Sequence, residues 1–343
     1  MGATRGLDQS SLSSMWPERQ LKGNNAVQDE GTSTSHRDGN ACRRFPLSDM
    51  LVRFWGVRGS YPTPGPQTIR YGGNTTCVEV AAGAHTLILD AGSGIIRLGK
   101  DLLHRSAGKP LNLALLITHG HGDHLLGFPF FAPLYERRTT IDFFGPGLAG
   151  RTIEQLVTPF MSPPYFPVDI QSLPSHRIFH TIVEQEQIIW SNDDKQPTVT
   201  NQGENVTEAE VRVIARLTNS HPLDGAVIYS IEYAGRRLVF ATDVEWREVC
   251  DPGFIDFVEG ADLLIHDAQY TLDDYQDNRQ GFGHSSIEMA TEVANEARVR
   301  MLILFHHEPT YDDNKLDTIQ DQARSHFANT SVACEGMEIN LLK

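Results

Sequence analysis

Residues Thr118-His119-Gly120-His121-Gly122-Asp123-His124 set three imidazoles and a carboxylate within six consecutive positions. Such groups are costly to bury unless they are paired or ligated. The two interleaved glycines let the backbone bend so that several side chains converge on one point. Immediately ahead lies Leu111-Asn112-Leu113-Ala114-Leu115-Leu116-Ile117, an apolar run with the length and composition of a buried strand. A buried strand that ends in ligating groups points to a metal site with nitrogen and oxygen donors, and this many donors point to two ions.

The elements that must complete such a site recur later in the chain. The run Arg237-Leu238-Val239-Phe240-Ala241-Thr242 ends in Asp243, Ala261-Asp262-Leu263-Leu264-Ile265 ends in His266-Asp267, and Arg300-Met301-Leu302-Ile303-Leu304-Phe305 ends in His306-His307. Each reads as a strand that delivers a ligand or an acid at its carboxyl end, where a rigid scaffold holds functional loops. His306 is the expected ligand of its pair because it directly follows the apolar run. His221 lies in the turn Asn219-Ser220-His221-Pro222, before a strand expected at 227–233. Imidazole donors suit Zn, and a carboxylate suits a bridge between two ions. Zn is the first choice, with Mn or Fe left open. Two divalent ions about 3.5–4 Å apart can share a hydroxide nucleophile and hold a phosphoryl oxygen. Asp123 could orient or deprotonate that water.

The His-x-His-x-Asp-His pattern, followed by a lone His, a lone Asp and a late His, resembles the metallo-β-lactamase superfamily over residues 51–343. The resemblance implies an α/β (α+β) architecture, an αββα sandwich of two mixed sheets flanked by helices. It places His119, His121 and His221 on one ion and Asp123, His124 and His306 on the other, with Asp243 between them. His266-Asp267-Ala268 and Gly283-His284-Ser285-Ser286 resemble the ribonuclease Z-like phosphodiesterase branch. There Asp267 would support His284 as phosphate contact and general acid. Ser285-Ser286-Ile287-Glu288 has the form of a capping box, and Ile287, Ala290, Val293, Ala294 and Ala297 share a helical face. His284 is thus expected at a helix N-terminus, where free N–H groups favour an anion. Phe54-Trp55-Gly56-Val57-Arg58-Gly59-Ser60 and Gly72-Gly73-Asn74-Thr75 resemble a bacterial subgroup of metal-dependent hydrolases, which makes Arg58 and Asn74 candidates for substrate contact or for structural loop roles.

The whole chain bounds the substrate. Its net charge of −15 argues against DNA as a partner, since neutralising a polyanion takes clustered Lys and Arg. No Gly-rich basic arm of the kind that grips transfer RNA in ribonuclease Z stands out. The expected substrate is therefore a small phosphodiester, with a cyclic nucleotide as the specific expectation. The alternatives are RNA processing of the ribonuclease Z type, or thioester or lactone hydrolysis on the same fold. Antibiotic hydrolysis fits poorly, because Asp243 offers a bridging carboxylate where β-lactamases commonly use a Cys. Cys42, Cys77, Cys250 and Cys334 form no CxxC pair, and a reducing, cytoplasmic setting fits them. No apolar run is long enough to span a membrane, and a homodimer is left open. Residues 1–46, rich in Ser, Asn, Gln and Gly, read as a disordered tail before one hydrolase domain over 47–343. Within that domain a helix is expected near 95–105, another from Leu125, a short one at 151–158, an ordered loop with five prolines at 159–174, and a polar surface excursion at 191–208.

Overall fold

The computed structural model describes residues 49–148, 150–191, 196–203, 209–222, 225–246 and 250–343. All of them belong to the compact unit Cys42–Lys343. The expected N-terminal tail lies outside the described residues.

The strands form two mixed sheets. The first contains β1 (Met50–Gly56), β2 (Cys77–Ala82), β3 (His85–Leu89), β4 (Leu111–Leu116), β5 (Thr139–Pro146) and β6 (His176–Ile182). The second is built from β7 (Glu186–Ser191), β8 (Thr198–Asn201), β9 (Ala209–Thr218), β10 (Ala226–Tyr233), β11 (Arg236–Ala241), β12 (Leu263–Asp267), β13 (Leu302–Phe305) and β14 (Thr330–Val332), while the last strand, β15 (Glu338–Asn340), returns to the edge of the first. The strand orders are β15-β1-β2-β3-β4-β5-β6 and β14-β13-β12-β11-β10-β9-β7-β8. The sheets face each other across a core that includes Val52, Phe54, Val80, Leu87, Leu116, Phe144, Tyr229, Phe240 and Phe305. The outer faces bury a second and a third cluster beneath helices. Helix α1 (Ile95–Ser106) packs Ile95, Leu98 and Leu102 with Ile88 and Leu115 of the first sheet. The alternating burial of its side chains is what an amphipathic helix over a sheet requires. This is the αββα sandwich that the motifs imply.

What positions the site is the parallel part of each sheet. Strands β3, β4 and β5 run parallel, as do β11, β12, β13 and β14. Parallel neighbours present their carboxyl ends on the same edge, so the residues that follow β3, β4, β11, β12 and β13 assemble there. These strands are buried on both faces, which is why they read as unbroken apolar runs.

Two local expectations are corrected and one, the short helix, is met. The helix expected from Leu125 is instead a single turn, α2 (Gly122–Leu125), followed by 3-10 turns at Phe128–Phe130 and Ala132–Tyr135. Pro129 and Pro133 lack the N–H that a continuing α-helix would need. The short helix expected at 151–158 is α3 (Ile153–Val157), closed at its start by the Thr152–Gln155 capping box. The polar stretch 191–208 includes β8, an edge strand paired antiparallel with β7; the rest of that stretch lies largely outside the described residues.

Candidate metal centre

The motif after β4 is fixed from below before any ligand is considered. The Asp90 carboxylate, at the end of β3, accepts from Thr118 N at 2.8 Å, Thr118 Oγ1 at 2.9 Å and His124 Nδ1 at 2.8 Å. Because the Thr118 hydroxyl donates to Asp90, it is left to accept from His119 Nδ1, 3.0 Å away. His221 Nδ1 donates to Gly283 O at 2.9 Å, and His306 Nδ1 to Gln269 Oε1 at 3.1 Å. Each of these rings therefore spends Nδ1 on a protein acceptor and turns Nε2 inward. Tethering one ring nitrogen is how proteins fix the tautomer and orientation of a metal-binding His.

The inward atoms converge on Asp243. Its Oδ1 lies 3.6 Å from His119 Nε2 and 3.7 Å from His221 Nε2, and His121 Nδ1 is 3.0 Å from His221 Nε2. Its Oδ2 lies 3.2 Å from His124 Nε2 and 3.4 Å from His306 Nε2. Asp123 Oδ2 sits 3.4 Å from His124 Nε2 and 3.2 Å from His306 Nε2. One carboxylate thus turns an oxygen to each of two donor groups. Apart from His121, which is exposed at the mouth, these side chains are buried. His119 Nε2 and His124 Nε2 are buried and make no hydrogen bond. Leaving such atoms unmet costs about 1–3 kcal/mol each, and a cation would satisfy them. The donor set fits two divalent ions.

The electrostatics divide the imidazoles. His119 is pushed well below its ordinary value, first by burial and then by the neighbouring imidazoles, against Asp243. Burial acts to raise Asp243, but His306, His124 and His119 together hold it well below the carboxylate range. Burial lowers His121 and His221 likewise, whereas His124, although burial presses it down, is raised well above its ordinary value by Asp243, Asp123 and Asp90, so its ring carries a proton that a bound ion would displace.

Beside this cluster stands a dyad. Asp267, at the end of β12, is wholly buried and takes four hydrogen bonds. Oδ2 accepts from His284 Nδ1 at 2.7 Å and Asp243 N at 3.0 Å; Oδ1 accepts from Gln269 N and Ser285 N, both at 3.1 Å. The His284 ring stacks on His306 with centroids 4.9 Å apart. Burial presses the His284 imidazolium to lose its proton, but Asp267, aided by Asp243 and Asp123, outweighs this and raises it to about 9. The helix beyond is α4 (Ile287–Glu296), and its cap differs from the expectation. Ser286, not Ser285, is the N-cap, bonded to Met289 N, with the Met289 side chain in the reciprocal position. Ser285 is drawn away, its N–H to Asp267 and its hydroxyl to Val244 O. The N–H groups around His284 are therefore occupied, and its place beside the cluster comes from Asp267 rather than from a free helix terminus.

Four non-glycine residues of this region have left-handed backbone: Ser60 (φ 59), Asp90 (φ 61), Asp243 (φ 56) and His306 (φ 63). Such conformations cost of order 1–3 kcal/mol each and gather where function fixes the chain. Ser60 also donates its N–H to Asp123 Oδ2 at 2.7 Å.

Other candidates are placed elsewhere. Arg58 is fully buried, with its guanidinium donating to Gly72 O, Glu308 O and Tyr311 O. Asn74 bonds Glu335 through Nδ2 and Ser93 through Oδ1. Both sets of bonds are structural. His266 accepts from Trp246 Nε1, and His307 donates to Ala333 O, so neither faces the cluster. The sequence reading missed Asp90, Gln269 and Glu245. Asp90 had a signal: it ends an apolar run as Asp243 does. Gln269 bonds His306, Ser60 Oγ and Glu308, and Glu245 accepts from Gly281 N and Gly283 N; nothing in their spacing marks them.

The class follows from fold and site together. Residues 85–307 match the family described as Beta-lactamase superfamily domain, and that span holds Asp90 and every side chain of the cluster and the dyad. The chain belongs to this superfamily and, with paired His and Asp clusters of this kind, is one of its metal-dependent hydrolases. Its homologues lie in the ribonuclease Z-like branch. It is 27% identical over 327 residues to the ribonuclease Z of Gemmatimonas aurantiaca, covering 85% of this chain and 96% of that one. It is 26% identical over 316 residues to the ribonuclease Z of Thermoplasma acidophilum, with the same coverage, 85% and 96%. Among solved structures, the metallo-β-lactamase fold protein YhfI of Bacillus subtilis superposes with a TM-score of 0.58 at 19% identity, covering 85% of this chain and 99% of that one. The short form of human tRNase Z superposes with a TM-score of 0.53 at 21% identity, covering 84% and 98%. At these identities the two structures speak for the fold alone. Among the described residues no helix is long and apolar enough to cross a membrane.

Proposed function

We propose that the chain is a metal-dependent phosphodiesterase of the ribonuclease Z type that cuts RNA, with residues 47–343 as its catalytic unit. The observation that carries the reading is the Asp267–His284 pair beside a carboxylate shared by two donor groups. Thioester or lactone hydrolysis would use the ions but has no need of a buried, carboxylate-backed imidazolium. The ribonuclease Z relatives move the weight from the small phosphodiester expected at first to RNA. The small phosphodiester, a cyclic nucleotide included, stays as the second reading because of the net charge of −15, which disfavours a large polyanion.

His119, His121 and His221 would hold one ion, and Asp123, His124 and His306 the other, with Asp243 shared. Zn suits these donors best. When bound, two such ions would supply Lewis acidity and lower the pKa of a water. Asp123, with one oxygen held by Ser60 N–H, orients the attacking water. His284, kept protonated by Asp267, hands its proton to the leaving oxygen, and Asp267 remains ionised behind it. Removing such a general acid typically costs roughly 10²–10⁴-fold in rate.

The test is a screen of metal-defined protein against a 3′-extended transfer RNA precursor, a cyclic nucleotide and bis(p-nitrophenyl) phosphate. RNA cleavage that is lost on chelation is the expected result. Cleavage of the cyclic nucleotide with intact RNA would transfer the proposal to the second reading. Metal-replete protein inert toward all three would overturn both.

A further inference from the structure

The segment leading into His284 carries side chains that neither the metals nor the dyad use. Phe282 is 52% exposed, two residues before the general acid. A lone exposed aromatic carries little meaning, but this one sits in a fastened loop. The buried Glu245 carboxylate accepts from Gly281 N at 2.6 Å and Gly283 N at 2.9 Å, so it grips the backbone on both sides of Phe282. Gly281 (φ 87) and Gly283 (φ 89) adopt left-handed conformations that side chains disfavour. Gly283 O takes the proton of His221 Nδ1, which ties the loop to the donor cluster. The same carboxylate also accepts from Tyr275 Oη at 2.8 Å, so the fastened loop carries a large apolar ring in water.

Arg279 supplies the second observation. Its guanidinium carbon lies 5.6 Å from the Phe282 ring centroid and 5.9 Å from that of Tyr270. The Tyr270 ring in turn lies edge-on to His284, with centroids 6.1 Å apart. A cation between two rings keeps its charge while losing freedom, and Arg is the side chain suited both to stack and to pair with phosphate. The run His284, Tyr270, Arg279, Phe282 therefore leads from the proton donor out to solvent and alternates rings with positive charge.

We propose that Arg279 and Phe282 form a nucleoside subsite on the His284 side of the metal centre, with a base stacked on Phe282 and Arg279 facing the phosphate next to the one that is cut. Aromatic side chains bind bases of any sequence by stacking, and Arg adds to it. The inference rests on the phosphodiester reading and names the part of the substrate that this wall would take.

The experiment separates the two claims. Metal-replete protein is titrated calorimetrically with uridine 5′-monophosphate and with methyl phosphate, and the ratio of the two affinities isolates the nucleoside. Hydrolysis of bis(p-nitrophenyl) phosphate is followed on the same samples. In Phe282→Ala and Phe282→Leu the ratio is expected to fall roughly tenfold, within the range known for base stacking on an aromatic, and Phe282→Trp restores it. Arg279→Met instead removes the advantage of uridine 3′,5′-bisphosphate over uridine 5′-monophosphate, since only the former carries the neighbouring phosphate. A ratio unmoved by the Phe282 changes, or that advantage kept in Arg279→Met, overturns the subsite, whatever the hydrolysis shows. Wild-type protein that leaves this diester, the RNA precursor and the cyclic nucleotide all intact overturns the phosphodiesterase reading, while the binding ratio still decides the subsite. Phe282 is a surface side chain, so its replacement spares the fold; an unchanged melting temperature checks this.

Discussion

Asp267→Asn tests the proposed proton donor while nearly preserving shape. Asp267 accepts four hydrogen bonds, two at each oxygen. An amide can offer only one oxygen. With its NH2 at the Oδ1 position it meets the N–H groups of Gln269 and Ser285, two donors against a donor. In the other orientation it meets Asp243 N–H and His284 Nδ1, and His284 can shift its proton to Nε2 and accept. That second arrangement leaves one buried donor unmet and is the cheaper, at about 1–3 kcal/mol. The fold should survive with a lowered melting temperature. The larger effect is on His284. Without the carboxylate, burial is the dominant influence, and the imidazolium raised to about 9 falls below its ordinary value, so the ring is neutral near pH 7.5. Loss of the acid should slow cleavage of RNA, whose alkoxide needs a proton, by roughly 10²–10⁴-fold. A p-nitrophenyl diester, whose leaving group departs without one, should slow far less. The assay is kcat on both substrates with metal content measured on the same samples. Equal losses on both, at full metal occupancy, would refute the argument that Asp267 acts through His284.

The remaining expectations concern the centre itself. Asp243→Ala removes the carboxylate that faces both donor groups and should reduce bound metal at both, read by elemental analysis of dialysed protein. Gly283→Ala would place a Cβ 2.1 Å from Pro222 Cδ and 2.3 Å from His221 Nδ1 at a φ of +89; it should weaken metal binding at the His119–His121–His221 group by tenfold or more, about 1.4 kcal/mol, and binding equal to wild type would contradict the close approach. Gln269→Leu leaves His306 Nδ1 without its acceptor and should weaken the ion held by Asp123, His124 and His306 by roughly 10–100-fold, with Gln269→Glu retaining more of it, as measured by competition with a chelating dye. In metal-free protein the raised His284 contributes stability that is fully present below its unfolded value of about 6.5 and lost as pH rises through about 9, about 3 kcal/mol at about 1.4 kcal/mol per pKa unit; a His284→Ala variant should flatten that part of the stability–pH curve, and an unchanged slope would show that Asp267 does not hold the proton.

Much of this centre could be read from the chain because of how parallel strands work. A strand buried on both faces must be apolar throughout, so its end is marked by the first residue that cannot be buried alone. Asp243, Asp267 and His306 each follow such a run, and the parallel pairing of β11, β12 and β13 sets them side by side. The same logic applied to β3 would have found Asp90, whose role is visible only once Thr118 and His124 are seen to share it. Gln269 and Glu245 escape any such reading. Their work is done through hydrogen bonds to residues 37 and 36 positions away, His306 and Gly281, and no periodicity encodes a contact of that kind. The misassigned helix cap shows the same limit from the other side. Ser285 and Ser286 are interchangeable as cap formers by local rule, and it is Asp267, distant in sequence, that claims Ser285 and leaves the cap to Ser286. Local chemistry thus names the ligands, while the groups that aim them depend on which strands become neighbours.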